Sequence, residues 1–265
     1  MQLHWRRTFE VQLLIWLLPP SSQVILTTII ILLIKSSLVK LPPLLYRGYL
    51  CNMEWLNKDL IFPPVETATE EGILAIGGDL SVERLLLAYR NGIFPWYNEG
   101  EPIIWWCPNP RFVLFPEKLK VTKSMQSVLN NGKFRFTINR AFTSVLQNCK
   151  TVTRKEQEGT WITPAVLQAY THLHQLGYAH SAEAWMNGEL VGGLYGLRIG
   201  NIFFGESMFS KESNASKFAF INYVRQLQRE KVALIDCQVH TNHLESLGAK
   251  MIERGRFMEL LRENL

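Results

Sequence analysis

The sequence predicts an α/β protein with a mixed β-sheet, and three observations lead to this class. Helix start signals recur, because Ser81 and the pair Thr163-Pro164 each precede an amphipathic stretch. Three apolar segments between residues 182 and 206 are joined by Asn187-Gly188 and Gly200-Asn201, which are typical hairpin turn pairs. A long helical segment and another apolar strand follow, so helices and strands alternate along the chain.

The first part of the globular sequence, residues 53–116, predicts a small N-terminal domain. An apolar segment with a glycine turn covers residues 72–80. A helix is predicted from Ser81 to Arg90, with Glu83 in its first turn, where a negative charge stabilises the helix dipole. Two further apolar segments flank a polar loop near residue 100, and they predict a hairpin that exposes aromatic side chains.

The remainder, residues 117–265, predicts a larger domain that contains the three hairpin-linked strands. The predicted elements are a strand over 134–138, helices over 140–149 and 165–176, strands over 182–186, 189–199 and 201–206, a helix over 218–230, a strand over 233–237, a short helix over 241–247, and a strand-helix pair from Met251.

Two carboxylates stand at the predicted ends of apolar strands in this domain. Glu206 follows Phe203-Phe204-Gly205, and Asp236 follows Ala233-Leu234-Ile235. Gln238 comes two residues after Asp236 and therefore lies on the same strand face. Carboxylates at the ends of buried strands are candidates for acid–base chemistry, because burial changes their proton affinity. Each of them could instead accept hydrogen bonds from nearby backbone N–H groups and be purely structural.

Residues 1–52 differ in composition from the rest of the chain. They are rich in Leu and Ile, and the longest apolar run, Val24–Ile34, is shorter than the ~20 residues that a membrane-spanning helix needs. We expect translation to begin at Met53, where globular patterning starts, so that residues 1–52 are a non-homologous leader. The alternative is a membrane anchor. A protein that begins at Met53 should then be soluble and fully active.

Charge and cysteine content narrow the function classes. Residues 1–52 hold five of the 28 basic residues and one of the 23 acidic residues, which leaves 23 basic and 22 acidic residues in the globular part. That part is not basic as a whole, so nucleic-acid binding would need a local patch. The four cysteines form no C-x-x-C pair, which favours a reducing compartment and a cytoplasmic protein.

Seven short motifs, taken together, resemble one known family. They are Ile76-Gly77-Gly78-Asp79-Leu80, Gly92-Ile93-Phe94-Pro95-Trp96, Trp105-Trp106, Gly159-Thr160-Trp161-Ile162-Thr163, Gly205-Glu206-Ser207-Met208-Phe209-Ser210, Asn214-Ala215-Ser216-Lys217 and Asp236-Cys237-Gln238-Val239. On these motifs the chain, from about residue 54 to its end, resembles the bacterial leucyl/phenylalanyl-tRNA–protein transferases.

The resemblance implies a fold and an activity. The fold would be a small N-terminal domain packed on a GNAT-like acyltransferase domain. The enzyme would move Leu or Phe from Leu-tRNA or Phe-tRNA to the α-amino group of proteins that begin with Arg or Lys, which creates a degradation signal of the N-end rule pathway. We expect a cytoplasmic monomer that needs no metal or cofactor and has no stable membrane partner.

The implied reaction is the aminolysis of an activated ester. The protein must position the aminoacyl group, remove a proton from the incoming ammonium and stabilise the tetrahedral oxyanion. Asp236, oriented by Gln238, can accept the proton or fix the amine, and Glu206 can pair with the cationic N-terminal Arg or Lys. The division of these roles stays open, and the ribose hydroxyl of the tRNA is another possible proton acceptor.

The resemblance also implies two sets of binding residues. An apolar and aromatic pocket would hold the aminoacyl-adenosine end, with ring stacking worth ~1–3 kcal/mol per base; its candidates are Trp105, Trp161, Tyr170, Leu194, Phe203 and Tyr223. Basic side chains would contact tRNA phosphates; the candidates are Arg111, Lys123, Arg135 and Lys217. The alternative for each aromatic residue is core packing, and for each basic residue a solvated surface position.

Three other interpretations have less support. An acetyltransferase that uses acetyl-CoA would need a glycine-rich pyrophosphate loop before the long helix, but Ser207–Ser216 contains no glycine. A non-catalytic, membrane-anchored tRNA- or peptide-binding protein is indicated only by the leader. A metal site at Cys237, His240 and His243 lacks a fourth ligand nearby in the sequence.

Overall fold

Two β-sheets organise residues 53–151 and 161–265, which are the residues that the computed structural model describes. The leader predicted over 1–52 and most of the polar loop predicted over 150–159 lie outside these residues. The mixed sheets with their helices confirm the predicted α/β class. Among the described helices, none is both long and apolar enough to cross a membrane.

The smaller sheet has four strands in the order β1-β2-β4-β3. The strands are β1 (Glu54–Leu56), β2 (Ile73–Gly77), β3 (Phe94–Pro95) and β4 (Ile104–Trp106), and helix α1 (Val82–Arg90) lies between β2 and β3. The Ser81 hydroxyl accepts a hydrogen bond from the backbone N–H of Arg84 at 3.4 Å, so the predicted helix cap is confirmed. The β3–β4 hairpin is also confirmed, but Phe94 and Trp105 are buried in it rather than exposed.

The larger sheet has seven strands in the order β11-β5-β10-β9-β8-β7-β6, and only the β9–β10 pair is parallel. The strands are β5 (Arg111–Leu114), β6 (Arg135–Ile138), β7 (Ala179–Met186), β8 (Glu189–Ile199), β9 (Ile202–Ser210), β10 (Leu234–Gln238) and β11 (Lys250–Ile252).

Helices cover both faces of the larger sheet. They are α2 (Lys123–Asn130), α3 (Phe142–Thr151), α4 (Pro164–Gln175), α5 (Ala215–Arg229), α6 (Asn242–Glu245) and α7 (Arg254–Asn264). One core cluster contains residues of α2, α5 and one sheet face, including Phe203. The other contains residues of α3, α4 and the opposite face, including Phe204, together with residues of α1, α7 and the smaller sheet.

The chain passes from the smaller to the larger sheet at residues 107–110, because β4 ends at Trp106 and β5 begins at Arg111. This crossing comes before the boundary predicted at residue 116. The described residues form one compact unit. The division into domains at 53–116 and 117–265 stays a prediction.

Two β-bulges interrupt the centre of the larger sheet. Glu206 is an extra residue of β9 between the pairs Gly196–Gly205 and Tyr195–Ser207, and Cys237 is an extra residue of β10 opposite β5. The strand end predicted at Glu206 is therefore wrong, since β9 continues to Ser210, whereas β10 ends at Gln238, one residue after the end of the strand predicted over 233–237. Bulges bend a strand and redirect a side chain, and they occur often beside active sites.

Helix α5 also starts differently from the prediction. It begins at Ala215 rather than near residue 218. Asn214 precedes it with a φ of +69° and makes no side-chain cap hydrogen bond. Asparagine tolerates this left-handed backbone conformation better than most residues.

Candidate active site

Glu206 is the centre of a hydrogen-bond cluster built from four elements. The Tyr89 hydroxyl of α1 donates to Oε1 at 2.6 Å, and Nε2 of Gln238 in β10 donates to the same oxygen at 3.1 Å. The Tyr170 hydroxyl of α4 donates to Oε2 at 3.3 Å. The Tyr89 and Tyr170 hydroxyls also share a short hydrogen bond with each other. A single partly buried carboxylate thus accepts from three side chains that are far apart in the sequence.

The alternation of side chains in β9 places Glu206 on the face that α1 and α4 cover. Residues two apart in a strand share a face, so Glu206 lies on the side of Phe204, where Tyr89 and Tyr170 contact it. In a regular strand residues 204 and 209 would face opposite sides, yet Phe204 and Phe209 belong to the same core cluster. The extra residue at Glu206 therefore reverses the alternation for the part of β9 that follows it.

Asp236 is held in a buried ion pair with Arg111. Nε of Arg111 donates to Oδ1 at 2.8 Å and one of its terminal nitrogens donates to Oδ2 at 2.6 Å, and both residues are fully buried. The guanidinium also lies 4.7 Å from the ring centroids of both Phe94 and Phe257. Asp236 cannot meet an incoming ligand unless this pair opens. Arg111 does not lie on the surface, and this burial disfavours its predicted contact with a tRNA phosphate.

Gln238 joins the two acids in a way that differs from the prediction. Its backbone N–H donates to Oδ1 of Asp236 at 2.9 Å, while its side chain reaches Glu206 rather than Asp236. Its φ is +63°, a strained value for a residue other than Gly, Asn or Asp. The bulge at Cys237 and this backbone conformation together point the amide group at Glu206.

The surroundings of Glu206 change its proton affinity. Burial raises its pKa to about 8, the negative charge of Asp236 adds to this, and the hydrogen bonds from Tyr89, Tyr170 and Gln238 oppose it. Burial also raises the pKa of Tyr89 and of Tyr170 well above the usual range, so both hydroxyls keep their protons. Since a peptide α-amino group has a pKa of about 7.7–8.0, Glu206 is matched to exchange a proton with such an amine.

The predicted aminoacyl-adenosine residues are only partly brought together. Tyr170 touches Glu206, and Trp161 meets Tyr170 edge to face with ring centroids 6.2 Å apart. Trp105 is fully buried in the smaller sheet, where its indole N–H donates to the Gly77 carbonyl oxygen at 2.9 Å and its ring packs on Phe62. Its ring is enclosed by the core rather than presented to a cleft.

The other three predicted pocket residues lie on the opposite face of the larger sheet. Leu194, Phe203 and Tyr223 belong to the core cluster beneath α5, and each is at most 4% exposed. Phe203 and Phe204 are consecutive in a strand, so one faces α5 and the other the Glu206 side. The structure therefore does not bring all six predicted residues to one side of the larger sheet, and their binding role stays a prediction.

The remaining predicted phosphate contacts lie at the surface. Lys123 and Arg135 are exposed, and the Arg135 guanidinium lies 5.9 Å from the ring of Trp185. Lys217 is partly buried in the first turn of α5. It lines a polar cavity of about 340 Å³ together with Lys211 and His243.

The cysteines and histidines offer no equivalent centre in the described part of the chain. Burial raises the pKa of both Cys107 and Cys237, which disfavours the reactive thiolate. His240 lies 3.2 Å from a carboxylate oxygen of Glu245. Within residues 53–151 and 161–265, no three metal-binding side chains form a group.

Sequence reasoning missed Tyr89 altogether, and it assigned Arg111 to phosphate binding rather than to an ion pair with Asp236. Tyr89 lies in the buried stripe of α1 with Leu85 and Ala88, and nothing in that pattern distinguishes it from a core aromatic. Arg111 precedes the apolar run Phe112–Leu114, and a charge beside such a run is the one available sign of a buried ion pair.

The family model described as leucyl/phenylalanyl-tRNA protein transferase matches residues 113–262, and the model of that family's N-terminal domain matches residues 78–109. A leucyl/phenylalanyl-tRNA–protein transferase of Flavobacterium johnsoniae is 55% identical over 210 residues, which are 79% of this chain and 99% of that relative. One of Syntrophobacter fumaroxidans is 54% identical over 79% of this chain and 90% of its own length.

Among solved structures, a GCN5-related N-acetyltransferase from Kribbella flavida superposes with a TM-score of 0.30 and 10% identity. The match covers 63% of this chain and 59% of that chain. A likeness at this level carries no argument about activity.

Proposed function

The chain belongs to the leucyl/phenylalanyl-tRNA–protein transferase family and is an aminoacyltransferase, and we propose that it moves Leu or Phe from its tRNA to the α-amino group of proteins that begin with Arg or Lys. The observation that carries the mechanism is the cluster around Glu206. In this cluster the Glu206 carboxylate accepts hydrogen bonds from three side chains, and its pKa is raised to about 8. The neighbouring anion, Asp236, is fixed in its ion pair with Arg111.

Glu206 is the proton acceptor in this proposal. It takes one proton from the incoming α-ammonium, and the neutral amine then attacks the ester carbonyl carbon. A C–N bond forms and the C–O bond to the ribose breaks. The nitrogen loses a second proton and the leaving ribose oxygen gains one, so no oxidant, reductant or cofactor is needed. A base whose pKa is close to that of the amine makes the first transfer nearly balanced in free energy.

Asp236 has a supporting role here, in place of the general-base role that the sequence favours. Both of its oxygens accept hydrogen bonds from Arg111, and it is fully buried. Its negative charge raises the pKa of Glu206, and its Oδ1 fixes the backbone of Gln238. Asp236 therefore tunes and orients the acceptor, and Glu206 meets the α-ammonium rather than the side chain of Arg or Lys.

The binding roles follow from position for the aminoacyl end and from exposure for the phosphates. We assign the aminoacyl-adenosine end to the neighbourhood of Trp161 and Tyr170, because Tyr170 bonds to Glu206 and Trp161 packs on Tyr170. We assign phosphate contacts to Lys123, Arg135 and Lys217, which are at least partly accessible. Each of these cations that contacts a phosphate should add to the slope with which the logarithm of the tRNA binding constant falls against the logarithm of the salt concentration.

The test is a transfer assay with the full chain, labelled Leu-tRNA and short peptides. Peptides that begin with Arg or Lys should become labelled at their N-terminus. The same peptides with an acetylated N-terminus are matched controls and should stay unlabelled, since they lack the attacking amine. Tight tRNA binding without transfer would contradict the proposal and favour a binding protein. Turnover of acetyl-CoA with the same peptides, and none of Leu-tRNA, would favour an acetyltransferase.

A further inference from the structure

Tyr89 is the contact of Glu206 that comes from farthest away in the chain. It lies in α1, beside the smaller sheet, and is separated from Glu206 by 117 residues. It is fully buried, and its ring packs against Phe204 with centroids 5.1 Å apart. Its hydroxyl makes the shortest of the three hydrogen bonds to Glu206.

The placement of α1 is fixed by contacts at both of its ends. At the start, the fully buried Arg84 donates to the carbonyl oxygen of Asn57 at 2.8 Å and lies 3.3 Å from a carboxylate oxygen of Asp79. At the end, Gly92 adopts a φ of +69°, and a methyl group there would lie 2.9 Å from the ring of Phe257. The Tyr89 hydroxyl is thus held in place by the helix that carries it.

The protons of the two tyrosines can be accounted for. Each hydroxyl owns one proton. Tyr89 donates to Oε1 of Glu206, so in its short hydrogen bond with Tyr170 it must be the acceptor. The single proton of Tyr170 is therefore shared between the Tyr89 hydroxyl oxygen and, at 3.3 Å, Oε2 of Glu206. The chain Tyr170 to Tyr89 to Glu206 then runs in one direction, and such chains strengthen each member. This arrangement is complete only when the Glu206 carboxylate is ionised.

We propose that Tyr89 is a positioning residue for the transfer reaction: its hydroxyl, delivered by α1, orients the ionised carboxylate of Glu206 towards the incoming amine and stabilises that ionised form. The inference rests on the proposed role of Glu206 as proton acceptor. It assigns to the small-sheet part of the chain a direct share in the acid–base chemistry of the larger sheet.

Four ionisable groups act on Glu206, and together they determine in which direction its ionisation should shift when the Tyr89 hydroxyl is removed. Asp236 of β10 disfavours the ionised carboxylate by charge repulsion, while the charge of Arg111 in β5 favours it. Tyr89 of α1 and Tyr170 of α4 favour it by hydrogen bonding. Removal of the Tyr89 hydroxyl should therefore raise the pH at which Glu206 ionises. The loss of a hydrogen bond to a charged group corresponds to about one to two pH units.

The experiment follows Glu206 directly and through the reaction. The full chain is labelled with 13C at its Glu carboxyl carbons, and the NMR signal of Glu206 is assigned by its loss in Glu206→Gln. The change of this signal with pH is then compared between wild type and Tyr89→Phe. The pH at the midpoint of the Glu206 titration should rise by about one to two units in Tyr89→Phe. Transfer of Leu to an Arg peptide at pH 7 should fall about tenfold and recover as the pH is raised.

The matched control is Tyr97→Phe, which removes a buried hydroxyl bonded to Thr163. It should change neither the titration of Glu206 nor the dependence of the transfer rate on pH.

Two results would overturn the inference. One is an unchanged Glu206 titration in a folded Tyr89→Phe variant, and the other is an equal shift in Tyr97→Phe. If Tyr89→Phe does not fold, a fluorinated tyrosine at position 89 replaces it; its more acidic hydroxyl should shift the midpoint to lower pH, and no shift would again overturn the inference. A wild-type chain that shows the Glu206 titration but no transfer refutes the proposed function and leaves the titration test of Tyr89 intact.

Discussion

Replacement of Arg111 by Met should destabilise the fold far more than an ordinary substitution. The change removes both hydrogen bonds to Asp236 and leaves a fully buried carboxylate without a counter-charge. Breaking a buried ion pair from one side costs about 3–5 kcal/mol. Methionine keeps the contact with the rings of Phe94 and Phe257, so the loss reports mainly on the charge. In a domain of this size the midpoint of thermal unfolding should fall by roughly 6–20 °C.

The assay is equilibrium unfolding in denaturant. The free energy of unfolding is compared between variants that share the same slope of free energy against denaturant concentration. The control Arg90→Met changes an exposed arginine and should cost well under about 1 kcal/mol. The double variant Arg111→Met/Asp236→Asn removes the unpaired charge and should recover more than half of the loss. Equal stability of Arg111→Met and Arg90→Met would refute the view that Asp236 is a buried, fixed anion.

Three further predictions concern the binding surfaces and the sheet. Trp161→Ala should weaken the use of Leu-tRNA in steady-state assays far more than it lowers the melting temperature, and the reverse would place Trp161 purely in the core. Gly196→Ala should lower the free energy of unfolding by about 1–3 kcal/mol or more in denaturant, because its methyl group would overlap a backbone carbonyl of β9. The control Gly255→Ala places its methyl group in open space and should leave the free energy of unfolding unchanged or slightly higher. For tRNA binding, Lys217→Ala should reduce the slope of the log binding constant against the log salt concentration by roughly 1, and the control Lys58→Ala should leave this slope unchanged. Equal slopes in the two variants would show that Lys217 is not part of the tRNA interface.

Local signals in the sequence predict much of the fold. The hydroxyl caps at Ser81 and Thr163 each accept a backbone hydrogen bond at the start of a helix, because this chemistry depends on neighbouring residues only. The strand predicted over 189–199 has the same bounds in the structure, since turn residues define both of its ends. The family motifs likewise depend on short, ordered stretches.

The geometry of the site depends on partners that are distant in the chain. A bulge arises from the register between two strands, so the extra residues at Glu206 and Cys237 leave no mark in their own sequence. The ion pair of Asp236 spans 125 residues, and the contact of Tyr89 with Glu206 spans 117. In the mechanism that we propose, these tertiary contacts exchange the roles that the sequence favours for the two acids.

The most direct test of this account is single-turnover transfer of Leu from Leu-tRNA to an Arg-initiated peptide by wild type, Glu206→Gln and the exposed control Glu259→Gln. Glutamine keeps the shape of Glu206 and cannot accept the proton. The account predicts that Glu206→Gln lowers the transfer rate by about 10²-fold or more at saturating peptide, with little change in the peptide concentration needed for half-maximal rate, and that the control matches wild type. A near wild-type rate in Glu206→Gln, reached only at much higher peptide concentration, would contradict it and return Glu206 to the binding of the cationic side chain.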